Sequence, residues 1–468
     1  MKKLFFFDLD SLQEYNYVKI KHHQLKNCGE IISKRNDVKQ IGWGSVFKQN
    51  NITQIIFSGW LRKKYYSHDG KLYLLKSKNE YKFNIDNTTP IVLENNGHVG
   101  VHQCVTFHNK YLLVGGAHIL LKNKLEYLIE KKLAGHTSKC LKNMVIDKRK
   151  GYNIISNKYN QKECKSNGLY LLESNNLLNW ENIHDTPLKL NITNKIIKSH
   201  ITDRIMSFPS RKWSSLDLYD TQPSFFYDEK KEKYVLYTRD NVKTGVRYVE
   251  YHESSDLMYW NGPFPIKTSF DYFHDNIYYF KVKYYPKYDY YTAFAKYYSP
   301  TYKINGIYLF LSNDGISWKR ASKILNDTDT LHYYSSIFEG CPIISKRKMI
   351  FYTSYKLSKI NIYSLRIDGY SSIYASNKEG FFITKKLILN SDNIRINSLS
   401  SCNGYIKVEL LDVKMKPISG YELKNFDIVN GNHVEKILSW KNESKILYED
   451  ELHIRICMKN SNIYSLIY

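Results

Sequence analysis

The chain has 468 residues, is 43% hydrophobic, and carries a formal net charge of +24, with 42 Tyr, 10 Pro and seven Cys. Its apolar residues come in runs of four to six, far short of the roughly 18 consecutive apolar residues of a membrane-spanning helix, so a membrane protein of that kind is excluded. Cys28, Cys104, Cys140, Cys164, Cys341, Cys402 and Cys457 are scattered without a C-x-x-C pair, which argues against both a disulfide framework and a structural zinc site.

The charge excludes less than its size suggests. Only twelve of the 69 basic residues are Arg, and Lys, Asn, Ile and Tyr are all abundant, the bias of an AT-rich genome. A basic surface attracts anionic polymers over long range, but the lysines are spread along the whole chain and nucleic-acid motifs are absent. The excess reads as a solvated Lys-rich surface, and nucleic acid is not an expected partner.

At the start, MKKLFFFDLDSL has an apolar run, Leu4–Phe7, cut short by Asp8 and Asp10, below the ~7–15 residues of a signal-peptide core. Secretion is therefore not signalled, and an intracellular protein is expected. Residues 1–40 read as a segment that closes a ring of repeats by pairing an early strand with the last one. A first repeat follows, with strands at Ser45–Phe47, Ile55–Trp60 and Lys71–Ser77. The second has Cys104–Phe107 and Tyr111–Val114, a Lys- and Asn-rich insertion over 122–167, and then Gly168–Trp180, GLYLLESNNLLNW.

The third repeat is the clearest. Pro223–Tyr227 and Tyr234–Tyr237 flank a polar turn as antiparallel partners, Val246–Tyr251 supplies a third strand, and Ser254-Ser255-Asp256-Leu257 leads to Trp260. The fourth has Asn276–Phe280, Tyr290–Ala295 and Gly306–Trp318, GIYLFLSNDGISW, with the same Ser-to-Trp ending. The fifth is read at Pro342–Ile344, Met349–Ser354 and Ser371–Ser376. Five copies of a small antiparallel sheet, none able to bury both faces alone, predict an all-β fold with a five-bladed β-propeller over residues 1–390. From residue 391 the strands change pattern (Gly404–Leu411, Val434–Trp440, Leu452–Met458), which predicts a small β-sandwich over 391–468.

A propeller gathers chemistry at the start of its innermost strands, where the blades converge. Those positions are Gly44-Ser45, His102-Gln103, Asp220-Thr221-Gln222, Asp275-Asn276 and Glu339-Gly340. Two Asp and one Glu in a ring are the raw material of glycosidic-bond cleavage, in which one carboxyl protonates the leaving oxygen and another serves as base or nucleophile. The competing reading is a ring of polar strand ends that binds axial water or sugar without chemistry.

The chain at this point resembles the five-bladed propellers related to glycoside hydrolase families 32 and 43, and more closely an uncharacterised glycosidase-like group that joins such a propeller to a C-terminal β-sandwich. The resemblance rests on GVHQCVTF with LLVGG (Gly100–Phe107, Leu112–Gly116), DTQPSFFYDEKKEKYVLYTR (Asp220–Arg239), NGIYLFLSNDGISW (Asn305–Trp318) and the tail fragment Gly404–Asn432. It implies a hydrolase of glycosidic bonds with a carbohydrate ligand. The chain departs from family 32 in having Gln222-Pro223 where an Asp-Pro pair opens the inner strand, Glu339-Gly340-Cys341 where a Glu-Cys pair holds the acid, and no Asn-Asp-Pro in the first repeat.

The expected mechanism makes Glu339 the general acid and Asp220 the base or nucleophile, with Asp275 tuning the pair. His102, Gln222, Arg239, Arg247 and Asn276 are the expected substrate-binding residues, with Tyr219, Tyr272 and Trp213 as aromatic platforms. Arg239 and Arg247 could instead bridge structurally to Asp240 or Glu250. No metal site and no cofactor are expected. The alternative is a non-catalytic glycan-binding or structural propeller.

Overall fold

A computed structural model describes residues 1–32, 38, 40–60, 71–84, 89–93, 99–117, 168–183, 189–190, 222–241, 247–268, 276–299, 304–326, 336–355 and 359–468. The fold is a five-bladed β-propeller. Each blade is built on antiparallel strands, and in blades two, three and four a two-residue strand, Val92–Leu93, Lys189–Leu190 or Lys267–Thr268, adds in parallel at the outer edge. Blade one is Gln40–Gln49, Ile52–Trp60, Lys71–Ser77 and Thr89–Pro90; blade two is Val99–His108, Lys110–Ala117, Gly168–Ser174 and Asn179–Asn182. Blade three is Ser224–Asp228, Lys233–Asn241, Arg247–Ser254 and Tyr259–Pro265; blade four is Asn276–Tyr285, Tyr290–Ser299, Ile304–Ser312 and Ser317–Asn326. The inner strands of blades one and two, two and three, and three and four lie side by side, and blade five returns to blade one.

The Ser-to-Trp turn that marks blades two, three and four works the same way each time. Ser312 Oγ accepts the N–H groups of Asp314 and Gly315 at 3.2 and 2.9 Å, and Asp314 Oδ1 accepts those of Ile316 and Ser317 at 2.7 Å each. The Trp318 indole then donates to Gly315 O at 3.0 Å and fixes its ring in the core. Ser254, Asp256 and Trp260 repeat these bonds, as do Ser174, Asn176 and Trp180. The residue three after the serine is left-handed in all three, Leu177 at φ 68°, Leu257 at 67° and Gly315 at 73°. The side chains thus supply bonds that the tight turn's backbone would otherwise lack.

Blade five corrects the expected strand assignment. Its sheet is Ser336–Ile337 with Ile343–Ser345, then Lys348–Tyr355, Lys359–Arg366 and, outermost, Lys26–Ile32 from the N-terminal segment. Ser371–Ser376, expected as its third strand, lies elsewhere: Ser371–Ala375 pairs with Val18–His22 and with Leu452–Ile467. Lys359–Arg366 takes the blade position because a short connection returns it directly against Lys348–Tyr355.

The boundary expected at residue 391 is likewise corrected. One connected eight-stranded sheet takes strands from both sides of it: Lys3–Phe5, Leu12–Asn16, Val18–His22, Ser371–Ala375, Gly380–Thr384, Arg395–Asp412, Asn432–Ile437 and Leu452–Ile467. Its core runs through Phe6, Leu12, Ile373, Phe382, Ile396, Val408, Ile456 and Leu466, and Phe426, Trp440 and Ile446 cover it from the long loops between strands. A buried ion pair holds this sheet to the turn that leads into it from blade five. Lys3 Nζ lies 2.9 Å from Asp368, which also accepts the Ser465 hydroxyl at 2.7 Å. The insertion 122–167 lies outside the described residues.

Candidate active site on the propeller axis

The inner strands meet around Glu339. Its backbone joins blade five to blade one: Glu339 N–H donates to Gly44 O at 2.9 Å and Val46 N–H to Glu339 O at 2.8 Å. Blade two attaches through Val105 N–H, which donates to Ser45 Oγ at 2.9 Å. From blade three, the Gln222 amide donates to Gly44 O at 2.9 Å. The Ser224 hydroxyl accepts Val282 N–H of blade four at 2.9 Å and donates to Glu339 Oε1 at 2.7 Å. Blade four also brings Lys281, whose ammonium donates to Gln222 O at 3.0 Å and Pro223 O at 3.1 Å and stands 3.5 Å from Glu339 Oε2.

Glu339 is only 3% exposed and Lys281 2%. Burial pushes the Glu339 carboxyl up to about 7, against the opposing pull of the Lys281 ammonium and the Ser224 hydroxyl. Burial likewise brings Lys281 down to about 8, while the Glu339 charge holds it up. Two groups that would both be charged in water thus have their titrations drawn together near neutrality. Glu339 Oε2 makes no hydrogen bond among the described residues. Trp43, 2% exposed, borders the pair, with the Lys281 ammonium 6.0 Å from its ring and Tyr279 edge-on at 6.0 Å.

The expected site residues fare differently. Glu339 lies where the inner strands converge and is enclosed there. Gln222 also reaches the axis, where its amide holds blade one. Arg239 is buried in blade three, its guanidinium 4.8 Å from the Tyr278 ring of blade four. The register pairs Arg239 with Val249 and Thr238 with Glu250, so Arg239 and Glu250 face opposite sides of the sheet. Asn276 opens the inner strand of blade four, half-buried and paired with Tyr298. The backbones of His102 and Arg247 lie in their strands, but their side chains are outside the described set, as are Asp220, Asp275, Tyr219, Tyr272 and Trp213 altogether.

Ser45 holds one of the inner-strand starts read from the sequence, whereas Ser224, Lys281 and Lys283 were not singled out. The readable signal was Lys281 and Lys283 two apart in YYFKVKYY, where alternate residues of a buried strand turn to the same side. Among the described residues no group of three or more His, Cys, Asp or Glu could hold a metal ion, and no helix is long and apolar enough to cross a membrane.

No family model matches the chain, and no curated protein matches it. Among solved structures it is similar to a glycosyl hydrolase from Bacteroides ovatus, at 12% identity and a TM-score of 0.45, covering 74% of this chain and 94% of that one. It is also similar to a family 43 arabinoxylan arabinofuranohydrolase from Bacillus subtilis in complex with cellotetraose, at 10% identity and TM-score 0.39, covering 92% and 96%. A third is an N-acetylgalactosamine deacetylase from F. plautii in complex with blood group B trisaccharide, at 10% identity and TM-score 0.42, covering 76% and 97%. The five-bladed architecture itself stands on the strand pairing of this chain.

Proposed function

We propose that the protein is a glycoside hydrolase working at the axial site, with Glu339 as general acid. The observation that carries this reading is a buried carboxyl, at the convergence of the blades, whose titration is moved to about 7 by its surroundings. A glycosidase acid must hold its proton near the working pH and deliver it to the leaving oxygen, and desolvation is the usual way to arrange that. Ser224 fixes one carboxyl oxygen and leaves Oε2 as the oxygen that carries the proton.

In this reading Asp220, two residues before Gln222, is the base or nucleophile, and Asp275, one before Asn276, adjusts the pair. His102, Gln222, Arg239, Arg247 and Asn276 bind the carbohydrate. A retaining enzyme would hold its acting carboxyls about 5–5.5 Å apart and an inverting one about 6.5–9.5 Å.

The test is hydrolysis of a panel of aryl glycosides by the full chain. Glu339→Gln should abolish turnover while oligosaccharide binding, read by calorimetry, persists. Retained turnover removes Glu339 from the mechanism. A second reading, a sugar-binding propeller without catalysis, is favoured by one feature: the Gln222 amide is spent on Gly44, where the related hydrolases carry an acidic residue. Binding of oligosaccharide by a wild-type protein that cleaves none of the panel would establish it.

A further inference from the structure

We propose that Lys281 is the positioning residue of the axial site, fixing from blade four both the orientation and the protonation of Glu339 on blade five. The functional part of this inference rests on the reading of Glu339 as proton donor. A lysine side chain inside an inner strand is costly to bury unless its charge is compensated. Here two of its protons go to the carbonyls of Gln222 and Pro223, at 3.0 and 3.1 Å, which anchor the ammonium independently of the carboxylate. The next residues on both strands complete the clamp, since Ser224 takes Val282 N–H and gives its own proton to Glu339 Oε1. Two adjacent blades therefore hold the carboxyl of a third, with Oε2 3.5 Å from the ammonium.

The described titratable groups around Glu339 are few. Blade four contributes Lys281 and Lys283, the latter donating to Gly340 O at 3.1 Å and Pro342 O at 2.9 Å. Blade two contributes the buried Cys104 thiol and the carboxyl's own segment the Cys341 thiol. Burial raises Cys104 well above its ordinary range and Cys341 to about 12, so both thiols are neutral at physiological pH. The lysines are the charges that act on the carboxyl, and Lys281 is the one whose ammonium reaches its oxygen.

The experiment follows the Glu339 carboxyl directly, by carbon NMR of the glutamate-labelled full chain, with the signal assigned by its loss in Glu339→Gln. Lys281→Met should move the titration midpoint up by about 1–3 pH units, the usual effect of removing an opposite charge at this distance. Lys281→Arg should bring it back towards wild type. Lys281→Gln, which keeps donors for the two carbonyls without the charge, serves where the Met variant does not fold. An unmoved or lowered midpoint in either folded neutral variant overturns the proposal. So does failure of both neutral variants to fold when Lys281→Arg folds, which would make the lysine a scaffold charge. With an aryl glycoside as probe, the alkaline limb of kcat/KM should rise by the same amount. A moved midpoint in a protein that hydrolyses no glycoside sinks the hydrolase reading and leaves the Lys281 assignment standing; hydrolysis with an unmoved limb does the reverse.

Discussion

Gly340→Ala isolates the joint that places Glu339. Gly340 has φ +81°, and a Cβ built there would sit 2.1 Å from Val46 O. The left-handed conformation alone costs a non-glycine residue about 1–2 kcal/mol. The clash cannot be relieved by rotating a side chain, because the obstacle is backbone. Val46 O belongs to a residue whose N–H bonds Glu339 O at 2.8 Å, while Glu339 N–H bonds Gly44 O at 2.9 Å. Opening about 1 Å of space would stretch or break these two bonds, each worth about 0.5–1.5 kcal/mol. Together the terms give about 2–5 kcal/mol. Gly420→Ala is the control: its φ is +91° but nothing lies within 4 Å of the added Cβ, so it carries only the conformational cost. Urea unfolding of both variants, compared by midpoint at constant slope, reads the difference. A Gly340→Ala chain within about 1 kcal/mol of Gly420→Ala would refute the claim that blade five and blade one are locked at this residue.

Two further outcomes are expected. Because the folded-state titration of Glu339 is raised to about 7 from an ordinary 4.5, its contribution is fully present below about pH 4.5 and is lost as pH rises through 7. The loss is on the order of 3 kcal/mol for this buried group, and unfolding free energies measured from pH 4.5 to 7.5 should show it as a slope that Glu339→Gln removes. Truncation after residue 390 should leave Phe6, Leu12, Ile373 and Phe382 without the strands that bury them; such a chain should be insoluble or bind a hydrophobic dye, and a soluble, cooperatively folding 1–390 fragment would contradict the shared sheet.

Much of the propeller was legible because its signal is local. The Ser-to-Trp turn needs a hydroxyl, an Asp or Asn two residues on, and an indole six residues on, and all its hydrogen bonds close within five residues of the serine or three of the tryptophan. Three copies of that pattern set the strand phase for blades two to four. Blade five lacks the turn, and its third strand is therefore unmarked in the sequence. Ser371–Ala375 carries the β-branched and aromatic residues of a strand in Ile373 and Tyr374, but its partner Leu452–Ile467 lies far along the chain, and strand pattern specifies a face without specifying a neighbour. The same limit hid the division of the N-terminal segment, in which Lys26–Ile32 closes blade five while Lys3–His22 joins the C-terminal sheet.

The site was legible in its carboxylate and not in its cation. Glu339 stood out as one of three carboxylates, with Asp220 and Asp275, at the starts of inner strands. Lys281 did not, for two reasons that lie in the chain. In a sequence with 69 basic residues, one more lysine reads as surface, and only burial reveals the difference. The register of blade four is also shifted by a bulge between Ile277 and Phe280, so counting from the strand start at Asn276 gives the wrong depth for residues beyond it. The irregularity is consequential: it lets Val282 N–H meet Ser224 Oγ and sets Lys281 beside Gln222 and Pro223, which brings the ammonium to Glu339. The charge that controls the axial carboxyl is therefore delivered by a departure from strand regularity, the kind of feature that alternation in sequence does not encode.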